Sequence, residues 1–187
     1  IGISRTSPDY VAAEVMNLIL GGNEFVGRVG KRVRDTEGLA YYAVTSFAPA
    51  LAQGPWIFRA GANPKNVPHA ISSTLSEIRS VIRGGVKPSE LAWAKDNVVG
   101  SVQLGMATNA GIAEALDNSE FYGLGLDYYS RRFPMLVRSL TVEQVNQAAR
   151  KYLKPQSLVI SVAGPPVPGL DAISGAGRHR DKSALNR

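Results

Sequence analysis

Apolar positions along the chain switch between helical and strand spacing, and the switches mark out the elements. Val11, Val15, Leu18 and Ile19 share one face of a helix that starts at Ser7-Pro8-Asp9. Ser7 reads as N-cap, Pro8 as the first helical residue and Asp9 as a first-turn acid. Gly21-Gly22 stops that helix. Phe25, Val29 and Val33 then recur at four-residue spacing and predict a second, basic helix, with Asn23 as its cap, up to Gly38. The following run, Leu-Ala-Tyr-Tyr-Ala-Val-Thr, is rich in aromatic and β-branched residues and predicts a strand. Trp56 to Ala62 predicts a second strand, paired with the first as an antiparallel hairpin.

Helical spacing dominates the middle of the chain. Ile71, Leu75, Ile78 and Ile82 line one helix, which Gly84-Gly85 closes. Leu91, Ala94, Val98 and Val102 line another, opened by Lys87-Pro88-Ser89-Glu90. Thr108 to Leu124 and Asp127 to Leu140 read as two more, with Pro134 a kink or boundary in the last. Thr141-Val142-Glu143-Gln144 fits a capping box, with Val142, Val145, Ala149 and Tyr152 inward behind it. Leu158 to Ala163 predicts a short returning strand. Ile1 to Arg5 reads as the end of a strand begun upstream. Two strands, a helical block and a returning strand predict an α+β fold, a largely antiparallel sheet with helices packed on one face. The domain is expected over residues 1–164. A Pro- and Gly-rich tail, 165–187, is too polar to order itself.

Composition narrows the chemistry. The 187 residues suit one domain with a sizeable core. No apolar run is long enough to span a bilayer. With no Met start and no signal segment, the chain reads as an excised domain or processed product. The absence of cysteine removes disulfides, thiolate metal sites and a cysteine nucleophile. The formal charge of +6 reads as a generic basic surface, since no repeated aromatic-and-basic pattern accompanies it. The expectation is a soluble protein of the bacterial cytoplasm or periplasm that binds no nucleic acid and does not insert into membranes. The Gly22 to Gly27 spacing matches half of a phosphate-binding loop, but Arg28 and Val29 stand where Lys and Ser or Thr are required.

One constellation stands out. Arg34 lies near the end of the basic helix and Tyr41 near the start of the first strand. Fully extended, that separation would be about 23–25 Å. A reversal at Gly38 instead puts guanidinium and phenol on one rim. On chemistry alone, the favoured reading is Arg34 paired with Glu37 or Asp35 and Tyr41 as a core-edge residue.

The run Gly27-Arg28-Val29, then Arg34-Asp35, then Gly38-Leu39-Ala40-Tyr41 resembles the S-R-L…R-E…G-L-A-Y signature of the C-terminal half-domains of pitrilysin-type zinc peptidases. That family includes insulin-degrading enzyme and the mitochondrial processing peptidase. The resemblance runs to about Gly164, with Gly27 in place of the usual serine and Asp35 in place of glutamate. It implies the non-zinc half of a clamshell peptidase. Zinc would be held by a homologous half-domain carrying H-x-x-E-H, in the same polypeptide or a separate subunit. This chain has only His69 and His179, so no metal site is expected in it. The resemblance further implies that Arg34 holds a substrate carbonyl and that Tyr41 donates to the oxyanion formed as the peptide is cut. Arg28 would support the fold or the cleft and join Arg34 and Tyr41 in binding substrate. The extended peptide would add a strand to an exposed sheet edge. Tyr42, Phe47, Trp56 and Phe58 are candidates for its groove or for the core. The alternative role is a non-catalytic core subunit related to processing peptidases.

Overall fold

The computed structural model describes residues 2–167. Its sheet has three antiparallel strands, β1 (Gly2–Ile3), β2 (Ala40–Phe47) and β3 (Gly54–Ala62), in the order β1-β3-β2. Gly2 pairs with Pro55, and β2 pairs with β3 from Phe47↔Trp56 to Ala40↔Ala62. Alternation along β2 buries Ala43 and Thr45 toward the helices. Seven helices complete the described chain: α1 (Tyr10–Asn17), α2 (Arg28–Gly30), α3 (Val67–Gly84), α4 (Pro88–Gly105), α5 (Asn109–Phe121), α6 (Phe133–Ser139) and α7 (Val142–Tyr152). Both α1 and α2 run on into π-helical turns, Leu18–Gly22 and Lys31–Thr36. This is the expected α+β architecture.

Helix α1 is the centre of the core. Val11, Ala12, Ala13, Val15 and Met16 are all buried, so it is apolar on nearly every side. It packs against α7, α6, α4 and β2. A polar bridge fixes its end to the sheet. Trp56 Nε1 donates to Asn17 Oδ1 at 2.9 Å, Asn17 Nδ2 donates to the Thr45 carbonyl, and Thr45 Oγ1 donates to the Asn17 carbonyl. Trp56 is therefore core, with its one polar atom satisfied. Phe47 and Phe58 also pack on the core.

Several expectations are corrected in detail. Helix α1 begins at Tyr10, because Ser7 Oγ accepts from the Asp9 N–H and holds residues 7–9 in a turn. The basic helix begins only at Arg28. Asn23 Oδ1 accepts from the Phe25 N–H, closing a local turn that competes with helix, and leaves Phe25 exposed. Val29 and Val33 keep the helical stripe and are fully buried, worth about 1.5–3 kcal/mol each. Leu158 to Ala163 forms no strand among the described residues. Leu158 packs on the core, but Val159 is exposed and the segment has no pairing partner. An apolar run alone does not make a strand, which also needs a neighbouring edge to pair with. Of the tail, residues 168–187 lie outside the described residues, as does His179.

The caps of the later helices match expectation. Thr141 accepts from the Gln144 N–H while Gln144 accepts from the Thr141 N–H, a complete capping box. Pro134 sits in the first turn of α6, at a boundary rather than a kink. The N-terminal segment is pinned by a feature that periodicity does not reveal. Arg5 is buried beneath tyrosines, 4.1 Å from the Tyr10 ring centroid and donating to Tyr129 Oη at 2.9 Å.

Candidate functional site

The site is built around the reversal between α2 and β2. Helix α2 can press against the 23–26 turn because Gly30 has no side chain, since a Cβ there would lie 2.1 Å from the Glu24 carbonyl oxygen. The π-helical turn then closes through two backbone hydrogen bonds. The Leu39 N–H donates to the Val33 carbonyl and the Gly38 N–H to the Arg34 carbonyl. Gly38 takes φ of +61°, a left-handed conformation natural to glycine. The chain therefore turns back within a few residues, and Arg34 and Tyr41 stand on either side of the turn.

Tyr41 sits at an irregularity in the ladder. Ala40 pairs with Ala62 and Tyr42 with Gly61, so Tyr41 is the extra residue of a β-bulge. Its side chain is 88% exposed, on the edge strand of the described sheet. A tyrosine that only served the core edge would bury more of its ring. Tyr42 packs its ring across the backbone of Gly61 on the neighbouring strand.

Arg34 is held but not saturated. Its guanidinium lies over the Phe25 ring, 4.7 Å from the centroid. Its Nε is 3.9 Å from Asp35 Oδ1, too far for a hydrogen bond. Its Nη1 is buried without a hydrogen-bond partner. Glu37, the other simple partner, instead accepts from Arg32 Nε at 2.9 Å, while Arg32 Nη1 also reaches Glu77. A buried N–H without a partner costs about 1–3 kcal/mol. Among the described residues, no acceptor engages that N–H.

Arg28 is brought to a different neighbourhood. Its Nε donates to Glu90 Oε1 at 2.7 Å and its Nη2 to Glu90 Oε2 and to the Gly85 carbonyl. Glu90 also accepts from the Lys87 N–H at 2.7 Å and so caps α4. Burial pushes the Glu90 carboxyl up, but the Arg28 fork and the Lys87 N–H outweigh it and hold the group below the usual carboxylate range. The cluster borders a cavity of about 420 Å³ that neither Arg34 nor Tyr41 lines. Arg34 and Tyr41 thus flank one turn, while Arg28 is engaged elsewhere and joins α2 to α4.

Among the described residues, no three His, Asp or Glu side chains are gathered closely enough to hold a metal ion. His69 is exposed at the start of α3, its Nε2 3.9 Å from Glu37. The described residues do not fit a zinc site. Two contributors escaped the sequence reading, Phe25 beneath Arg34 and Glu90 beneath Arg28. The second lies sixty-two positions from its partner, and no local spacing announces it.

Residues 1–98, which contain this whole turn, match the family model described as the peptidase M16 inactive domain. The chain belongs to that family. The inactive domain is similar over 168 residues to an uncharacterized zinc protease of Streptomyces coelicolor, at 29% identity, covering 88% of this chain and 35% of that protein. It is also similar to a crystal structure of a peptidase M16 inactive domain from Pseudomonas fluorescens. There the TM-score is 0.75 at 32% identity, covering 82% of this chain and 36% of the other. A protease from Helicobacter pylori shares the fold, with a TM-score of 0.71 at 19% identity over 81% of this chain and 36% of that one. The inactive domain spans about a third of the length of these relatives. No helix among the described residues is long and apolar enough to cross a membrane.

Proposed function

We infer that this inactive domain is the non-zinc half of a clamshell metallopeptidase. It binds extended peptide and completes the active site of a homologous half that carries H-x-x-E-H, in the same polypeptide or a separate subunit. That half would supply the zinc, which polarises the scissile carbonyl and delivers water. This chain would supply two donors. Arg34 directs its unpartnered Nη1 at a peptide carbonyl, a charge-assisted bond in a site partly shielded from water. Tyr41 directs its phenol at the oxygen that becomes negative as the carbonyl is attacked. Arg28 acts one step back, fixing α2 against α4 so that the turn keeps its shape. Peptide would lie along β2, whose outer edge is unpaired among the described residues.

The observation that carries this reading is the contrast at the Gly38 turn. On one side of it is a guanidinium with a buried, unpartnered Nη1, and on the other an exposed phenol set out on a bulge. A purely structural turn gains nothing from either. The test is reconstitution with the zinc-bearing half, followed by Tyr41→Phe. Turnover should fall about 10²–10³-fold, the effect of losing one oxyanion donor, with peptide binding and melting temperature retained. Unchanged turnover in a folded, peptide-binding complex would overturn the oxyanion role of Tyr41.

A further inference from the structure

A second site lies on the far side of α3, remote from the Gly38 turn. Arg79, Ile82 and Arg83 of α3 face Arg150 of α7 and Lys154 and Pro155 just beyond it, across a groove of about 370 Å³ whose floor is the buried Leu153. Arg79 and Arg83 are four residues apart on one exposed helix face, where like charges repel. Neither makes an ion pair among the described residues. Arg83 is in the last turn of α3, where a cation complements the helix dipole, but Arg79 lies outside that turn. Arg150 has a carboxylate partner, Glu143 at 2.6 Å, on a pair exposed enough to exchange readily. Lys154 donates to the Arg150 carbonyl, which holds its ammonium at the groove mouth.

We propose that this groove binds an acidic peptide segment, with carboxylates on Arg79, Arg83, Arg150 and Lys154 and an apolar side chain against Ile82 and Pro155. The volume lies within the range of small binding sites. Charge of one sign on both walls selects an anion, and the apolar floor selects a peptide over a bare phosphate. No aromatic side chain lines the groove, so it lacks the stacking platform that single-stranded nucleic acid uses. The site is independent of the Gly38 turn and does not depend on the peptidase reading.

The test uses the full chain and fluorescence anisotropy with a labelled peptide of alternating glutamate and leucine. A lysine-leucine peptide and an oligothymidine serve as comparisons. The acidic peptide should bind, and binding should weaken steeply as salt rises. Arg79→Glu with Arg83→Glu should lower affinity by at least about tenfold, the loss of one or two charge-assisted contacts. Arg79→Gln with Arg83→Gln should act in the same direction to a smaller degree. Charge reversal at exposed Arg138, on α6, should leave binding little changed. No binding of the acidic peptide, equal binding by the Arg79/Arg83 variants, or equally tight oligothymidine binding through the same arginines would overturn the proposal.

Discussion

Arg28 and Arg34 lie six residues apart on one turn-and-helix segment, and they have opposite fates. Arg28 makes three hydrogen bonds, two to Glu90 and one to the Gly85 carbonyl. Arg34 has an aromatic ring beneath it, a carboxylate out of bonding range and a buried N–H with no partner. The first arginine holds the fold, and the second is held by it. An arginine in a family motif is therefore not informative by type alone. What separates a structural from a functional guanidinium is whether its donors are already engaged.

Four changes would break or sharpen that contrast. The largest effect is expected from Tyr41→Phe, the turnover loss of about 10²–10³ already described. Next is Arg34→Ala in the reconstituted complex. Removing a charge-assisted contact should lower kcat/KM about 10–100-fold, chiefly through KM, with unfolding free energy within about 0.5 kcal/mol of wild type. Unaltered peptide use, or a large loss of stability, would put Arg34 on the structural side. Arg28→Met should do the reverse. It strands the partly buried Glu90 charge, so stability should fall by about 2 kcal/mol, seen as a melting temperature about 4–8 °C lower. A normal melting curve would show that the fork holds nothing. The smallest effect is expected from Phe25→Ala. Loss of the ring beneath Arg34 should cost peptide affinity about two- to fivefold, the worth of one exposed cation–π contact, and little stability.

The Glu90 side of the contrast also has a pH signature. Its carboxyl is held below the ordinary range in the folded chain, so its contribution is complete at pH values above the unfolded pKa. That contribution fades as pH falls through the lowered folded value. Wild type should therefore be more stable than Glu90→Gln near neutrality, and the gap should close in acid. A gap independent of pH would show that the ion pair is not its source.

Sequence reached most of the fold but less of the site. Local chemistry carried the legible parts. Thr141 and Gln144 cap α7, and the Gly38 reversal follows from glycine at the end of a helical stripe. Where reading failed, a competing or distant group decided. Phe25 kept helical spacing with Val29 and Val33, but the Asn23 side chain closed its own turn first. Leu158 to Ala163 had strand periodicity without an edge to pair with. The bulge that exposes Tyr41 depends on register with β3, and the Arg28–Glu90 fork on contact between α2 and α4. Neither leaves a local mark. The Arg34–Tyr41 pair was legible only through its likeness to a family motif, because residue types alone favour an ion pair and a core-edge ring.

The most direct measurement is a double-mutant cycle, Arg34→Ala with Tyr41→Phe, read as kcat/KM of the reconstituted complex. If both side chains engage one bound peptide at its scissile group, their effects should couple by about 0.5–3 kcal/mol. Strictly additive losses, or no loss from either, would contradict a shared site at the Gly38 turn.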